Sequence, residues 1–282
     1  MAFRVVGIGL LGILLALAAQ VGLLYKESLS ALQASQDAPA DYSCPKFDPD
    51  AAISRFRHLI TFPSVSDVAD PLHTGDKQAL EALLAAMEEQ YADVWAQLEV
   101  EKVGANGYSR LVTWRGSDPS LEPVLFVSHY DVVPVTPGTE GDWRYPPFSG
   151  ALEEGYVWGR GTADVKIGVA GLLEAVMGLL RGGWTPARTV MLGLGHDEEV
   201  GGRLGAAKTA ALLASRGVTL DIVVDEGGLV FEDGLKPFLP GRPVAMVATA
   251  EKGYTMIQVT LRSAGGHSSI PPIDGSSVMR CI

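Results

Sequence analysis

Four stretches of this chain gather histidines and carboxylates at spacings that suit a bound cation and a general base: HYDVVPV from His129, GRGTADVK ending at Lys166, GHDEEVGG around Asp197, and VVDEGG around Asp225. His129 and Asp131 stand two apart, so on an extended backbone both side chains project to the same side. The imidazole can then bind a metal while the carboxylate orients it, although a plain surface turn carries the same two residues. Asp164 follows the glycine-hinged GRGTA, where close backbone approach is easy. It is placed either to bridge two metals or to cap a helix opening near Ile167. Asp197, Glu198 and Glu199 are three adjacent carboxylates that repel one another, so they need water, a cation or raised pKa values. A cation answers that directly, and a neighbouring free glutamate can serve as base.

The elements that must position these residues are legible as alternation. Asp48 reads as an N-cap with Pro49 at the first helical position, and Ile53, Phe56, Leu59 and Ile60 fall on one helical face. Asp76 to Tyr91 repeats the pattern, with Leu80, Leu83, Leu84 and Met87 as its apolar stripe. Strands are expected near Leu111–Trp114, Val124–Val127, Val190–Leu194 and Ile222–Val224, with helices near Ile167–Arg181 and Leu204–Arg216. That order predicts an α/β sandwich with a mostly parallel sheet core. In such sheets ligands gather at the carboxyl ends of the strands, and three of these strands run into His129, into Asp197–Glu199 and into Asp225. From about Pro243 the pattern shifts to half-exposed alternation, VAMVAT and then YTMIQVTLRS, as in strands of an antiparallel sheet, which predicts the start of a second domain.

Composition narrows the function. The chain has 282 residues, 47% of them apolar, and a net charge of −11, which would repel a phosphate backbone and argues against a nucleic-acid partner. Two cysteines, Cys44 and Cys281, cannot build a disulfide framework or a cysteine zinc site. Val5–Leu24 is an uncharged apolar run interrupted by Gln20, long enough as a helix to cross a bilayer. It reads as a membrane anchor, with a signal peptide cleaved after Ala16-Leu17-Ala18 as the alternative. Gly7, Gly9 and Gly12 spell G-x-G-x-x-G inside that run, but almost nothing precedes them to form a strand, so no dinucleotide site is expected. The expected layout is an anchor or signal over 1–26, a linker over 27–47, a main domain carrying the four clusters over 48–243 and an incomplete second domain over 244–282, too short to close a core alone.

The motifs HYDVVPV, GRGTADVK, GHDEEVGG, VVDEGG and the later GGHSS, in this order, resemble the co-catalytic zinc amidohydrolases of the carboxypeptidase S and aminoacylase type, metallopeptidase family 20. The resemblance runs from Asp48 to the last residue, and the SDPSLEP, GHDEEVGG and VDEGG wording is most similar to the carboxypeptidase S and N-acyl amino acid hydrolase branches. It implies a zinc-exopeptidase-like sandwich carrying an α+β lid that mediates dimerisation, and cleavage of an amide next to a free carboxylate, in C-terminal peptide bonds or N-acyl amino acids. By position it makes His129 and Asp225 ligands of one zinc, Asp164 the bridge and Glu199 a ligand of the second. Glu198 becomes the general base, Asp131 the partner that orients His129, and His267 the lid histidine that steadies the oxyanion. The family's last metal ligand is a histidine beyond the lid, and none of His58, His73 and His196 matches it. The resemblance therefore implies two zinc ions per complete site, with the second lacking its histidine in a shortened member. A relative that binds metal or a partner without turnover is the alternative. A glycosidase built on two of the carboxylates would leave His129 without a purpose. The body is expected in a luminal, vacuolar or extracellular compartment, anchored or else secreted.

Overall fold

A computed structural model describes residues 47–104 and 106–233, together with 241, 243–250, 253, 255 and 257–259. The apolar run Val5–Leu24, both cysteines and His267 lie outside the described residues. Among the described residues, no helix is long and apolar enough to cross a membrane.

Asp48 opens helix α1 (Pro49–Ile60) by accepting hydrogen bonds from the amides of Asp50 and Ala51 at 3.0 and 3.2 Å. Pro49 fits there because the first helical position has no use for an N–H. Phe56, Leu59 and Ile60 turn inward as their spacing predicts, whereas Ile53 stays partly exposed on the groove between α1 and a later helix. Helix α2 (Lys77–Gln90) is capped by Asp76 and buries Leu80, Leu83, Leu84 and Met87. A short helix α3 (Ala92–Gln97) leads into strand β1 (Glu99–Val103). Then come β2 (Ser109–Trp114), β3 (Val124–His129), a hairpin of β4 (Ala151–Glu153) and β5 (Tyr156–Trp158), helix α4 (Ile167–Arg181), β6 (Val190–Gly195), helix α5 (Ala206–Ser215) and β7 (Ile222–Val224).

The main sheet has the order β1-β2-β6-β3-β7. β3 runs parallel to both β6 and β7, while β1–β2 and β2–β6 are antiparallel. Chain connectivity explains the split. The β3-to-β6 and β6-to-β7 links each carry a helix, the crossover that parallel strands require, whereas β1 and β2 are joined by a short turn. Alternate residues feed two cores. On one face Val112, Leu192 and Leu194 pack with α1, α2 and α4, and on the other Leu111, Leu125 and Met191 pack with Leu213 of α5. The result is the α/β sandwich expected from the sequence, with the parallel strands β6, β3 and β7 together on one side of the sheet.

The chain divides after Asp225 into two compact units. In the second, β8 (Val230–Phe231) pairs antiparallel with β9 (Val244–Ala245). The alternation from Pro243 predicts a longer strand; β9 ends at Ala245, so the ladder holds two residue pairs, Val230 with Ala245 and Phe231 with Val244, and Met246 and Val247 beyond it are exposed.

Candidate metal centre

Three parallel strands deliver the motif residues to one edge. His129 is the last residue of β3 and lies opposite Gly195, where β6 gives way to the acidic turn. Val224, the last residue of β7, lies opposite Phe126, so Asp225 follows on the same edge. His129 is buried. Its Nδ1 is 3.1 Å from the Asp131 carbonyl oxygen and 3.3 Å from Asp131 Oδ1. Its Nε2 is 3.3 Å from Asp164 Oδ1 and 3.6 Å from Glu198 Oε2. One ring nitrogen thus faces a buried acceptor and the other faces two carboxylates open to solvent, 70% exposed for Asp164 and 54% for Glu198.

Asp131 holds more than the histidine. Its two carboxylate oxygens accept the backbone amides of Glu198 and Glu199, at 3.0 and 3.1 Å. Burial pushes its pKa up, but the hydrogen bond from His129, the charge on that ring, Ser66 and the Glu198 amide outweigh burial and hold it below the ordinary carboxylate range. Spacing placed Asp131 beside His129; that it also carries the acidic turn was not visible in the sequence.

Asp164 sits in the turn Thr162–Lys166 with extended backbone angles, φ −127° and ψ 98°, and the peptide bond that follows it is cis. It does not cap α4, whose first turn has no side-chain cap, so the choice left open by the sequence falls against the helix cap. Gly161 before it has φ +83°, and a Cβ there would come within 2.6 Å of Val132 Cγ1, so this turn can approach the Asp131–Val132 segment closely only with glycine. Lys166 pins the other side. It is fully buried, and its Nζ donates to the carbonyls of Leu59 and Phe62 at 3.0 and 2.7 Å, tying the turn to the end of α1. No local pattern in the sequence encodes this role of Lys166, because the two carbonyls lie 107 and 104 residues away.

The acidic turn does not present three carboxylates together. Asp197 is fully buried, with its carboxylate bonded to His73 and to the Leu204 amide, whereas Glu198 and Glu199 are not buried. Burial raises the pKa of Glu198, opposed by His129 and reinforced by the charges of Asp131, Asp164 and Asp225. Burial and then the charge of Asp164 do the same to Glu199. Asp225 lines a cavity of about 310 Å³ with His129 and Glu198. An apolar cavity of about 390 Å³ shares Val127, Gly195, Ala206 and Asp225 with it, so apolar and polar parts of one molecule can sit side by side.

The structure therefore brings His129, Asp131, Asp164 and Glu198 together, with Asp225 lining the same cavity and Glu199 joined to the group through its backbone amide on Asp131. The donor set suits a cation. An imidazole nitrogen facing two carboxylates, beside glutamates whose pKa values are raised by burial and then by neighbouring negative charge, is relieved by positive charge shared among them.

A profile of Peptidase family M20/M25/M40 matches residues 125–270. The N-fatty-acyl-amino acid synthase/hydrolase PM20D1.1 of Danio rerio is 38% identical over 224 residues, which is 79% of this chain and 42% of that protein. Carboxypeptidase S of Saccharomyces cerevisiae is 37% identical over 229 residues, 79% of this chain and 38% of that protein. Among solved structures, the M20 family metallo-carboxypeptidase Sso-CP2 from Sulfolobus solfataricus superposes with a TM-score of 0.49 at 22% identity, covering 64% of this chain and 38% of that one. The chain spans about two fifths of the length of the curated relatives it matches. The matched segment runs from β3 past β7 and carries His129, Asp131, Asp164, Glu198, Glu199 and Asp225, and the chain belongs to Peptidase family M20/M25/M40.

Proposed function

We propose that the whole protein is a zinc-dependent hydrolase that cleaves an amide bond next to a free carboxylate, in C-terminal peptide bonds or N-acyl amino acids. The observation that carries this reading is the position of His129, with Asp131 on one ring nitrogen and Asp164 and Glu198 at 3.3 and 3.6 Å from the other. The names of two relatives, a carboxypeptidase and an N-fatty-acyl-amino acid hydrolase, support the two substrate classes.

In this reading His129, Asp164, Glu199 and Asp225 hold the metal, two zinc ions per complete site. Zinc supplies Lewis acidity and lowers the pKa of water toward ~7. Asp131 keeps the proton on Nδ1 of His129, which leaves the Nε2 lone pair for the cation. Glu198, half-exposed in the crevice with its pKa raised by burial, takes a proton from the attacking water at its carboxylate and returns it to the leaving nitrogen. His267 of the GGHSS segment steadies the developing oxyanion. Residues 48–243 form the catalytic domain and 244–282 belong to a lid through which two copies pair. The Val5–Leu24 segment anchors the body at a membrane facing a luminal, vacuolar or extracellular space, or directs its secretion.

The test is release of free amino acid by the whole protein from a panel of unblocked peptides and of N-acyl amino acids with short and long acyl chains. Glu198→Gln is expected to lower kcat by roughly 10²-fold or more while zinc stays bound. Turnover that survives this substitution, or survives removal of metal by a chelator, would overturn the mechanism. Zinc bound without hydrolysis anywhere in the panel would favour a metal-binding relative.

A further inference from the structure

We propose that His73 is a positioning residue for the metal centre, holding the acidic turn in place through Asp197; this rests on the hydrolase reading above. Glu198 and Glu199 are useful only if the turn that carries them is fixed, and the turn has two carboxylate anchors. Asp131 takes the Glu198 and Glu199 amides. Asp197 is the second anchor. Its Oδ2 accepts from His73 Nδ1 and from the Leu204 amide, each at 2.8 Å, so one buried oxygen joins the start of the turn, its end seven residues on, and the loop bearing His73. Its carbonyl closes the turn by accepting from Gly202 at 2.8 Å.

His73 is the one side-chain donor within hydrogen-bonding distance of Asp197 among the described residues. His196 Nδ1 is 4.0 Å from Asp197 Oδ1 and is engaged by Ser109 Oγ at 2.7 Å. That Oδ1 is buried without a hydrogen bond, and Gly205 stands so close that a Cβ there would lie 2.5 Å away. A buried carboxylate with one bare oxygen depends heavily on the donors it has.

The loop that supplies His73 is itself fixed to the metal-centre backbone. Asp70 accepts from the amides of Leu72 and Thr74 at 3.1 and 3.0 Å, and from the Thr74 hydroxyl. The Gly75 amide donates to Val65 at 2.8 Å, and Val65 bridges Val132, next to Asp131. The contacts form a closed circuit from Asp131 through Val132, Val65, Gly75, His73 and Asp197 to Glu198 and back to Asp131. Breaking it at His73 frees one side of the turn while leaving every candidate metal ligand and the base in the sequence.

The experiment compares the whole wild-type protein with His73→Leu, which removes the donor, with His73→Asn, whose amide nitrogen can replace Nδ1, and with His73→Gly, which has no donor but accepts the left-handed backbone of residue 73 (φ +56°). Cobalt titration is expected to show affinity falling about tenfold in His73→Leu, the lower end of the range for residues that support metal ligands. kcat falls with it while KM holds, because substrate contacts are untouched. Hydrogen exchange at residues 198–204 rises in His73→Leu whether or not metal is present, and His73→Asn restores all three readouts to near wild type. Unchanged exchange and unchanged cobalt affinity in His73→Leu would overturn the proposal. So would a His73→Asn variant no better than His73→Leu or than His73→Gly. A wild type that neither binds cobalt nor turns over would sink the hydrolase reading instead, and exchange at 198–204 would still decide whether His73 holds the turn.

Discussion

At the scale of single residues, Asp131 is the most heavily committed side chain of the centre. It faces one nitrogen of His129 and accepts two backbone amides with its two oxygens, all in a fully buried position. Asp131→Asn keeps the size but offers one accepting oxygen, so either the Glu198 or the Glu199 amide loses its partner and meets an N–H instead. Leaving a buried donor unmet costs about 1–3 kcal/mol, and disturbing the partner of a ligating histidine costs 10–100-fold in metal affinity, both order-of-magnitude figures. Urea unfolding of the metal-free variant and cobalt titration of the same sample separate the two effects. Wild-type cobalt affinity retained by a destabilised variant would show that Asp131 serves the fold rather than the centre. The pairing of His129 with Asp131 could be read from their spacing because period-two geometry is local. The roles of His73 and Lys166 could not, because their partners lie 124 and at least 104 residues away and no local pattern encodes them.

At the scale of elements, the helices and parallel strands were legible where local chemistry repeats the global answer. Asp48-Pro49 opens α1, Asp76 opens α2, and the apolar runs of β3 and β6 end where the site begins. β1 was missed because three of its five residues are charged. It is held at the sheet edge by Glu99 with Arg115 at 2.8 Å and Glu101 with Arg216 at 2.6 Å, the second pair joining residues 115 apart. The join between α1 and the Asp164 turn is a different kind of contact, a lysine ammonium on two carbonyls. Burial pushes the pKa of Lys166 down to about 7, with the charge of Asp131 opposing it. The unfolded chain keeps that proton up to the ordinary lysine value of about 10.4, so between pH 7 and 10 the unfolded state binds more protons than the folded one. Folding stability is therefore expected to rise with pH across this window, by at most ~1.4 kcal/mol per unit from this group. Below pH 7 the contribution is flat. Lys166→Met should remove the slope, and parallel urea-stability curves for the two proteins from pH 7 to 10 would exclude it.

For the molecule as a whole, two features act against each other. β7 pairs only with β3 among the described residues, and its Ile222, Val223 and Val224 are 52%, 52% and 40% exposed. An apolar strand at an open edge is a template for another chain. The net charge of −11 opposes that by repulsion between copies. Repulsion is screened by salt, since the Debye length falls from about 30 Å at 0.01 M to about 3 Å at 1 M, whereas pairing of apolar edges is not. Association of the chain is therefore expected to increase with ionic strength at neutral pH, the reverse of what charge-mediated docking would do. Sedimentation velocity from 0.02 to 0.5 M sodium chloride reads this directly. Val223→Lys places a charge on the open edge and should return the protein to the sedimentation of a monomer at high salt. Association that rises with salt equally in Val223→Lys would move the sticky surface elsewhere, with the apolar run Val5–Leu24 the next segment to substitute.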